Sequence, residues 1–135
     1  MPVLDASFLI DLQRGSAGAV RILESLHREG ESLFVPAQAA IEFASGLPDP
    51  QGGLHRLSAA FTVLDLDREH MVEAAELGRK TKATGRLPGW ADTSIAAAAR
   101  LKGTYVITAN AKPFRALRVD HWDYRNDAEP TVYPE

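Results

Sequence analysis

Cysteine is absent from the 135-residue chain. Disulfides, zinc–thiolate centres and cysteine nucleophiles are thereby excluded. Long hydrophobic runs are absent too: no apolar stretch approaches the roughly 20 residues of a membrane span. No basic stretch followed by a long apolar one stands near Met1. These absences make the cytoplasm the expected compartment and argue against a membrane partner. Positive charge is not in excess, since 15 Lys and Arg face 18 Asp and Glu for a net charge of −3. Contacts to nucleic-acid phosphates would then need a local basic patch rather than a global field. The four histidines, His27, His55, His70 and His121, are scattered without evident partners. Each reads as a surface residue, and nothing in their spacing supports histidine catalysis.

What is present is enough apolar material for a core, 45 % of the residues. The length fits one domain burying roughly two-thirds of its unfolded surface. Short continuous apolar runs at residues 3–5, 33–35 and 105–108 read as buried strands, and residues 61–66 alternate like a strand. Helical spacing appears at 8–13, 17–29, 37–45, 54–60, 68–84 and 92–102. Residues 47–53 read as a loop rich in Pro and Gly. Asp67 is placed to cap the helix after it. Residues 118–121 suit an edge strand, and residues 123–135 a polar, loosely held tail. Helices alternating with such strands predict an α/β sandwich with a central, mainly parallel sheet covered on both faces. In such folds functional residues lie outside the carboxyl ends of the strands.

Three acids break apolar runs. Asp5 ends Val3-Leu4, Glu42 interrupts Ala39-Ala40-Ile41-Glu42-Phe43-Ala44, and Asp92 opens the run through Ala99. A buried carboxylate costs several kcal/mol unless paired. With Asn110, which follows the strand ending near Thr108, all three can meet at one sheet edge. Clustered carboxylates repel, so at least one pKa should be raised. A hard cation such as Mg²⁺ or Mn²⁺ would relieve that repulsion through oxygen ligands. It would also suit hydrolysis of a phosphodiester. Each acid has a plainer reading. Asp5 alone is a strand-end cap, Asp92 alone a helix N-cap, and Glu42 alone a surface residue on a face with little other polarity.

The ordered set Leu4-Asp5-Ala6-Ser7, Ile41-Glu42, Asp92 with Ile95-Ala96-Ala97, and Thr108-Ala109-Asn110 with Phe114 resembles the PIN-domain nuclease family. Within it, the chain is most similar to the VapC ribonuclease toxins of toxin–antitoxin pairs. The resemblance covers nearly the whole chain and places a PIN-like domain over residues 1–122, before the polar tail. It implies a metal-dependent endoribonuclease using Mg²⁺ or Mn²⁺, with Asp5, Glu42 and Asp92 as metal ligands. Asn110 falls where many members carry a fourth acid. It implies products with 5′-phosphate and 3′-hydroxyl ends, a homodimer and a VapB-type antitoxin. Ser7 either orients Asp5 or caps the first helix; Thr108 is equally open between a strand-end and an orienting role. Ala109 and Pro113 depart from the family, which often has Arg and Asp there, so substrate contacts at those places are in doubt.

Basic residues that suit RNA are Arg14, Arg86 and Lys112, with Ser7 as a polar contact. Arg79, Lys80 and Lys82 fit a solvated helix face as well as an RNA cleft. Trp90 reads as a core-edge packer or as a base-stacking platform. Leu54, Leu57 and Phe61, with Val20, Leu23 and Leu26, either complete the core or form a face for a second copy and an antitoxin helix. Other readings remain: an RNA-processing nuclease without an antitoxin, a silent binding module of the same fold, or a phosphotransfer domain. A receiver-like site lacks its second acid beside Asp5, and a phosphatase of the Asp-x-Asp type finds Ser7 at its second place.

Overall fold

Five short strands and seven helices alternate along residues 1–134, the part of the chain that the computed structural model describes. In chain order they are β1 (Val3–Leu4), α1 (Ala6–Gln13), α2 (Ala17–Arg28), β2 (Phe34–Pro36), α3 (Ala37–Ser45) and α4 (Pro50–Ala60). Then follow β3 (Thr62–Leu64), α5 (Arg68–Lys82), α6 (Trp90–Lys102), β4 (Val106–Thr108), α7 (Lys112–Leu117) and β5 (His121–Asp123). The strands form one sheet in the order β3-β2-β1-β4-β5. Every pairing is parallel, and helices flank the sheet, as the alternation of the sequence predicts. The core follows from composition: Val3, Leu4, Val35, Val106 and Ile107 are fully buried. The alanines 96–99 of α6 are also buried, and their small side chains let this helix lie close to its neighbours. None of the described helices is long and apolar enough to cross a membrane.

The strand order reverses at β1, whose neighbours are β2 and β4. Such a switch point opens a crevice outside the carboxyl ends of the strands. Asp5 follows β1 there, and Thr108 ends β4 beside it, with the register pairing Leu4 with Ile107.

Several expectations need correction. The loop at 47–53 is shorter than its Pro and Gly content suggests. Pro50 opens α4, and Asp49 caps it by accepting the Gly52 N–H at 3.1 Å. Proline is at home in the first turn, where its missing N–H has no partner to lose. The last strand is 121–123, not 118–121, because the short α7 intervenes and Arg118 turns the chain with φ 52°. His70 and His121 are buried, not surface residues. His70 Nε2–H donates to the Ser94 carbonyl at 2.6 Å, and His121 Nδ1–H to the Val119 carbonyl at 2.8 Å. The expected loose tail is tied down. Its first residue, Asp123, lies in β5, and Tyr124 and Arg125 both donate to the buried Asp11 of α1. Thr131 pairs with His121, and the Tyr133 N–H reaches Asp120 Oδ1 at 2.8 Å.

Candidate active site

Asp5 is held by both elements it separates. Its extended backbone ends β1 and caps α1, and Oδ1 accepts the Ala6 N–H at 2.8 Å. Oδ2 accepts the Thr108 hydroxyl at 2.7 Å and the Ser7 hydroxyl at 3.0 Å. With both hydroxyl protons on Asp5, the 3.2 Å approach of Ser7 Oγ to Thr108 Oγ1 is a contact between two acceptors. Each hydroxyl is in turn fixed by an amide. Ala109 N–H donates to Ser7 Oγ, and Asn110 N–H to Thr108 Oγ1, both at 2.9 Å. The side chain of Ser7 therefore orients Asp5, while the cap of α1 is Asp5 itself. Thr108 does the same from the end of its strand. Three of roughly four acceptor sites on the carboxylate are used, and one remains. Burial pushes the Asp5 carboxyl above its ordinary range, and the hydrogen bonds from Thr108, Ser7 and Ala6 pull it only part of the way back.

Glu42 and Asp92 complete the group. Asp92 is not the N-cap of α6; Gly89 is, and Asp92 sits in the first turn, half-buried. Burial raises the Asp92 carboxyl above its ordinary range, with the Asp5 charge adding to the rise. Glu42 lies on the exposed side of α3 despite its apolar neighbours, since Ala39, Ala40, Phe43 and Ala44 turn inward. Its carboxyl is raised first by partial burial, then by the charges of Asp5 and Asp92. Glu42 thus feels the charges of both Asp5 and Asp92, and Asp92 feels that of Asp5. Among the described residues neither Glu42 nor Asp92 accepts a side-chain hydrogen bond, whereas Asp5 accepts three. No group of three or more His, Cys, Asp or Glu among the described residues stands in ready metal-holding geometry.

The donor chemistry nevertheless fits a hard divalent cation. The atoms that Asp5, Glu42 and Asp92 offer are all oxygens, Glu42 and Asp92 both feel the charge of Asp5, and the chain has no cysteine to compete. Asn110 is exposed just beyond β4, its backbone anchored to Thr108. Lys112 begins α7 and Arg86 lies between α5 and α6, both exposed. Arg14 stands apart. It is the C-cap of α1, at the opposite end of that helix from Asp5, where its charge acts on Asp11.

Two cavities among the described residues lie elsewhere. The larger, about 360 Å³, is lined by Val63, Leu64, Asp65, His70, Ala98 and Lys102, and it contains none of the three acids. A second, about 240 Å³, is an apolar groove between α1, α2 and α4 that includes Leu9, Leu12, Leu23, Phe43, Leu57 and Phe61. The cluster of Asp11 with Tyr124 and Arg125 was not legible in the sequence; its only local sign is that Asp11 falls one turn after Ser7 on α1.

Comparison with known proteins extends these observations. The chain is similar to FitAcB from Neisseria gonorrhoeae, with 21 % identity and a TM-score of 0.76 over 93 % of this chain and 99 % of that one. A toxin–antitoxin complex from Klebsiella pneumoniae is 22 % identical, with a TM-score of 0.67 over 84 % and 90 %. VapBC-1 from nontypeable Haemophilus influenzae is 21 % identical, with a TM-score of 0.74 over 92 % and 98 %. At these identities the likeness speaks for the fold. No curated protein matches the sequence significantly. The sequence pattern of the PIN domain matches residues 3–119, a span that runs from β1 to the turn before β5 and includes all three acids. By that match and by its sheet, the chain belongs to the PIN-domain family.

Proposed function

We propose that the chain is a Mg²⁺- or Mn²⁺-dependent endoribonuclease and the toxin of a VapBC-type toxin–antitoxin pair. The observation that supports the reading is Asp5 at the switch point, held by Ser7 and Thr108, with its charge felt by both Glu42 and Asp92. Asp5, Glu42 and Asp92 would hold the ion. When bound, such an ion stabilises charge on a phosphoryl oxygen and makes water a better nucleophile. The protein's own part is positioning. Ser7 and Thr108 fix Asp5, while Glu42 and Asp92 keep their oxygens open to ligands. The Asn110 carboxamide stands at the rim as a neutral acceptor in place of a fourth charge. Arg86 and Lys112 attract the RNA backbone and orient it without reading sequence.

The toxin reading rests on the similar toxin–antitoxin complexes and on the apolar groove beside α1, α2 and α4, which has the character of a seat for an amphipathic antitoxin helix. A homodimer is part of the proposal. The experiment is incubation of pure protein with pooled tRNA, rRNA and mRNA, with and without Mg²⁺ or Mn²⁺, followed by mapping of the ends. Cleavage that needs the ion, leaves 5′-phosphate ends and disappears in Asp5→Ala and Asp92→Ala supports the reading. Cleavage that survives chelation, or that persists in both variants, defeats it. Growth arrest on expression, relieved by the product of a neighbouring gene, separates a toxin from an RNA-processing nuclease. Sedimentation gives the oligomeric state.

A further inference from the structure

Trp90 is 59 % exposed, although it is among the largest apolar side chains in the molecule. It is also held in place. It is the first residue of α6, and the rim of its six-membered ring rests on Gly78 of α5. A Cβ at Gly78 would lie 2.6 Å from both Cη2 and Cζ3 of the ring. A glycine inside a helix is unfavourable by about 1 kcal/mol relative to alanine, so the seat is made at a cost while most of the ring stays in water. The ring is two residues from Asp92. In a helix that spacing puts the two Cα atoms about 5.4 Å apart but turns the side chains to nearly opposite faces, so the ring flanks the acids on the α5 side.

The surroundings of the ring are cationic and polar. Thr84, Gly85, Arg86 and Gly89 are exposed in the connection before α6, and Lys80 and Lys82 are exposed on the last turn of α5. Among the described residues Lys80, Lys82 and Arg86 make no ion pair, whereas Arg79 is engaged by Glu76. A protein interface wants a contiguous apolar patch. A lone rigid aromatic among unpaired cations is what an unpaired nucleic-acid strand recognises, the ring stacking a base and the cations tracking the backbone.

Building on the nuclease reading above, we propose that Trp90 is a substrate-binding residue of this chain that stacks an unpaired base of the RNA strand flanking the acids. Duplex RNA keeps its bases paired and offers no free face to the ring.

The test uses the full chain carrying Trp122→Phe, so that Trp90 is the sole tryptophan. Its fluorescence is titrated in EDTA, where no cleavage intervenes, with single-stranded oligouridine and oligoadenosine and with a duplex of equal length. Saturable quenching by the single strands and little by the duplex is expected. Trp90→Ala should weaken single-strand affinity, or raise KM with Mg²⁺ present, by about 5- to 150-fold. Trp90→Phe should retain most of the affinity, and kcat should change little. Absent quenching, or equal losses in the Ala and Phe variants, overturns stacking. A Trp90→Ala variant that changes sedimentation while binding RNA normally makes the ring a subunit contact and also overturns it. Cleavage without quenching sinks this inference alone. Quenching without cleavage sinks the nuclease reading and leaves stacking standing.

Discussion

Replacing Asp92 with Asn removes one negative charge from the carboxylate group and leaves the side-chain shape nearly unchanged. The wild-type charge is unfavourable in the ion-free protein, since burial and then the charge of Asp5 raise the Asp92 carboxyl above its ordinary range. Two unit charges about 6 Å apart at an effective dielectric of about 20 repel by about 3 kcal/mol. Asp92 is only half-buried, so water and salt roughly halve this. Against it stands the position of Asp92 in the first turn of α6, where a negative charge gains about 0.3–1 kcal/mol from the helix dipole. Repulsion is the larger effect, and the net gain on substitution is about 1 kcal/mol. For a chain of 135 residues the entropy of unfolding makes that a rise in Tm of about 3–4 °C.

The pH dependence has a definite sign. A carboxyl raised in the folded state binds its proton more tightly there than in the unfolded chain. Its stabilising protonation is complete below the unfolded carboxylate range near pH 4 and is lost as pH climbs through the raised value. The Asp92→Asn advantage should therefore be smallest at about pH 4 and largest at neutral pH. The assay is thermal melting of both proteins in EDTA from pH 4 to 7.5, repeated at neutral pH with Mg²⁺. The ion should stabilise the wild type more than the variant, by mass action on the folded state. A variant that melts at or below the wild type at pH 7 in EDTA would show that the acids do not strain the fold, and the convergence argument would fail.

Thr108→Val removes the shortest donor to Asp5 and the acceptor of the Asn110 N–H. A loss of about 1.5–3 kcal/mol in urea denaturation is expected, with slower RNA cleavage; an unchanged midpoint would mean that the hydroxyl does not anchor the acid. Gly78→Ala sets about 1 kcal/mol of helix preference against a Cβ that collides with Trp90. Overpacking of about 1–3 kcal/mol should win; a higher Tm with unaltered Trp90 emission would refute the seat. For Asp11, burial pushes the carboxyl up, but the Tyr124 hydroxyl, Arg125 and Arg14 outweigh it and hold it below the ordinary range. Its stabilising effect is present above about pH 4 and fades as pH falls further. Tyr124→Phe should therefore lower Tm at pH 7, with a gap that narrows on acidification; a gap that widens in melting curves would contradict the sign.

Much of the architecture was legible because it is local. The helix 37–45 has its observed bounds in the sequence, between Pro36 and Gly46, and Asp67 caps α5 by accepting the His70 N–H at 2.9 Å, as its placement predicts. The burial of Asp5 was legible for a different reason, whereas Glu42, in an equally apolar run, lies on the exposed side of α3. Carboxylates inside apolar runs are costly, and the cost shows in one dimension. What stayed hidden depends on distant partners. His70 is buried by a carbonyl 24 residues away, and the tail is held by Asp11, 113 residues from Tyr124. No periodicity reports such pairs. The α4 start was hidden differently: Asp49-Pro50 is a cap followed by a first-turn proline, but the neighbouring Gly52 and Gly53 disguise it as a loop.

The three acids are not equivalent, and the difference follows from where the chain places them. Asp5 joins β1 to α1 beside the end of β4, so one strand and one helix supply it with donors, and its geometry is settled before any ligand arrives. Asp92 and Glu42 come from helices alone, one in a first turn and one on an exposed side, and among the described residues no side chain holds their oxygens. Under the proposed function this is a fixed anchor with two adaptable arms. The ion would meet Asp5 where it stands and draw Glu42 and Asp92 in, which relieves their repulsion on binding. A fully fixed trio would hold three negative charges together in the ion-free fold and raise the cost that the Asp92→Asn comparison measures. Glu42 and Asp92 feel the charge of Asp5 without forming a ready cage with it among the described residues, as two arms awaiting an ion would.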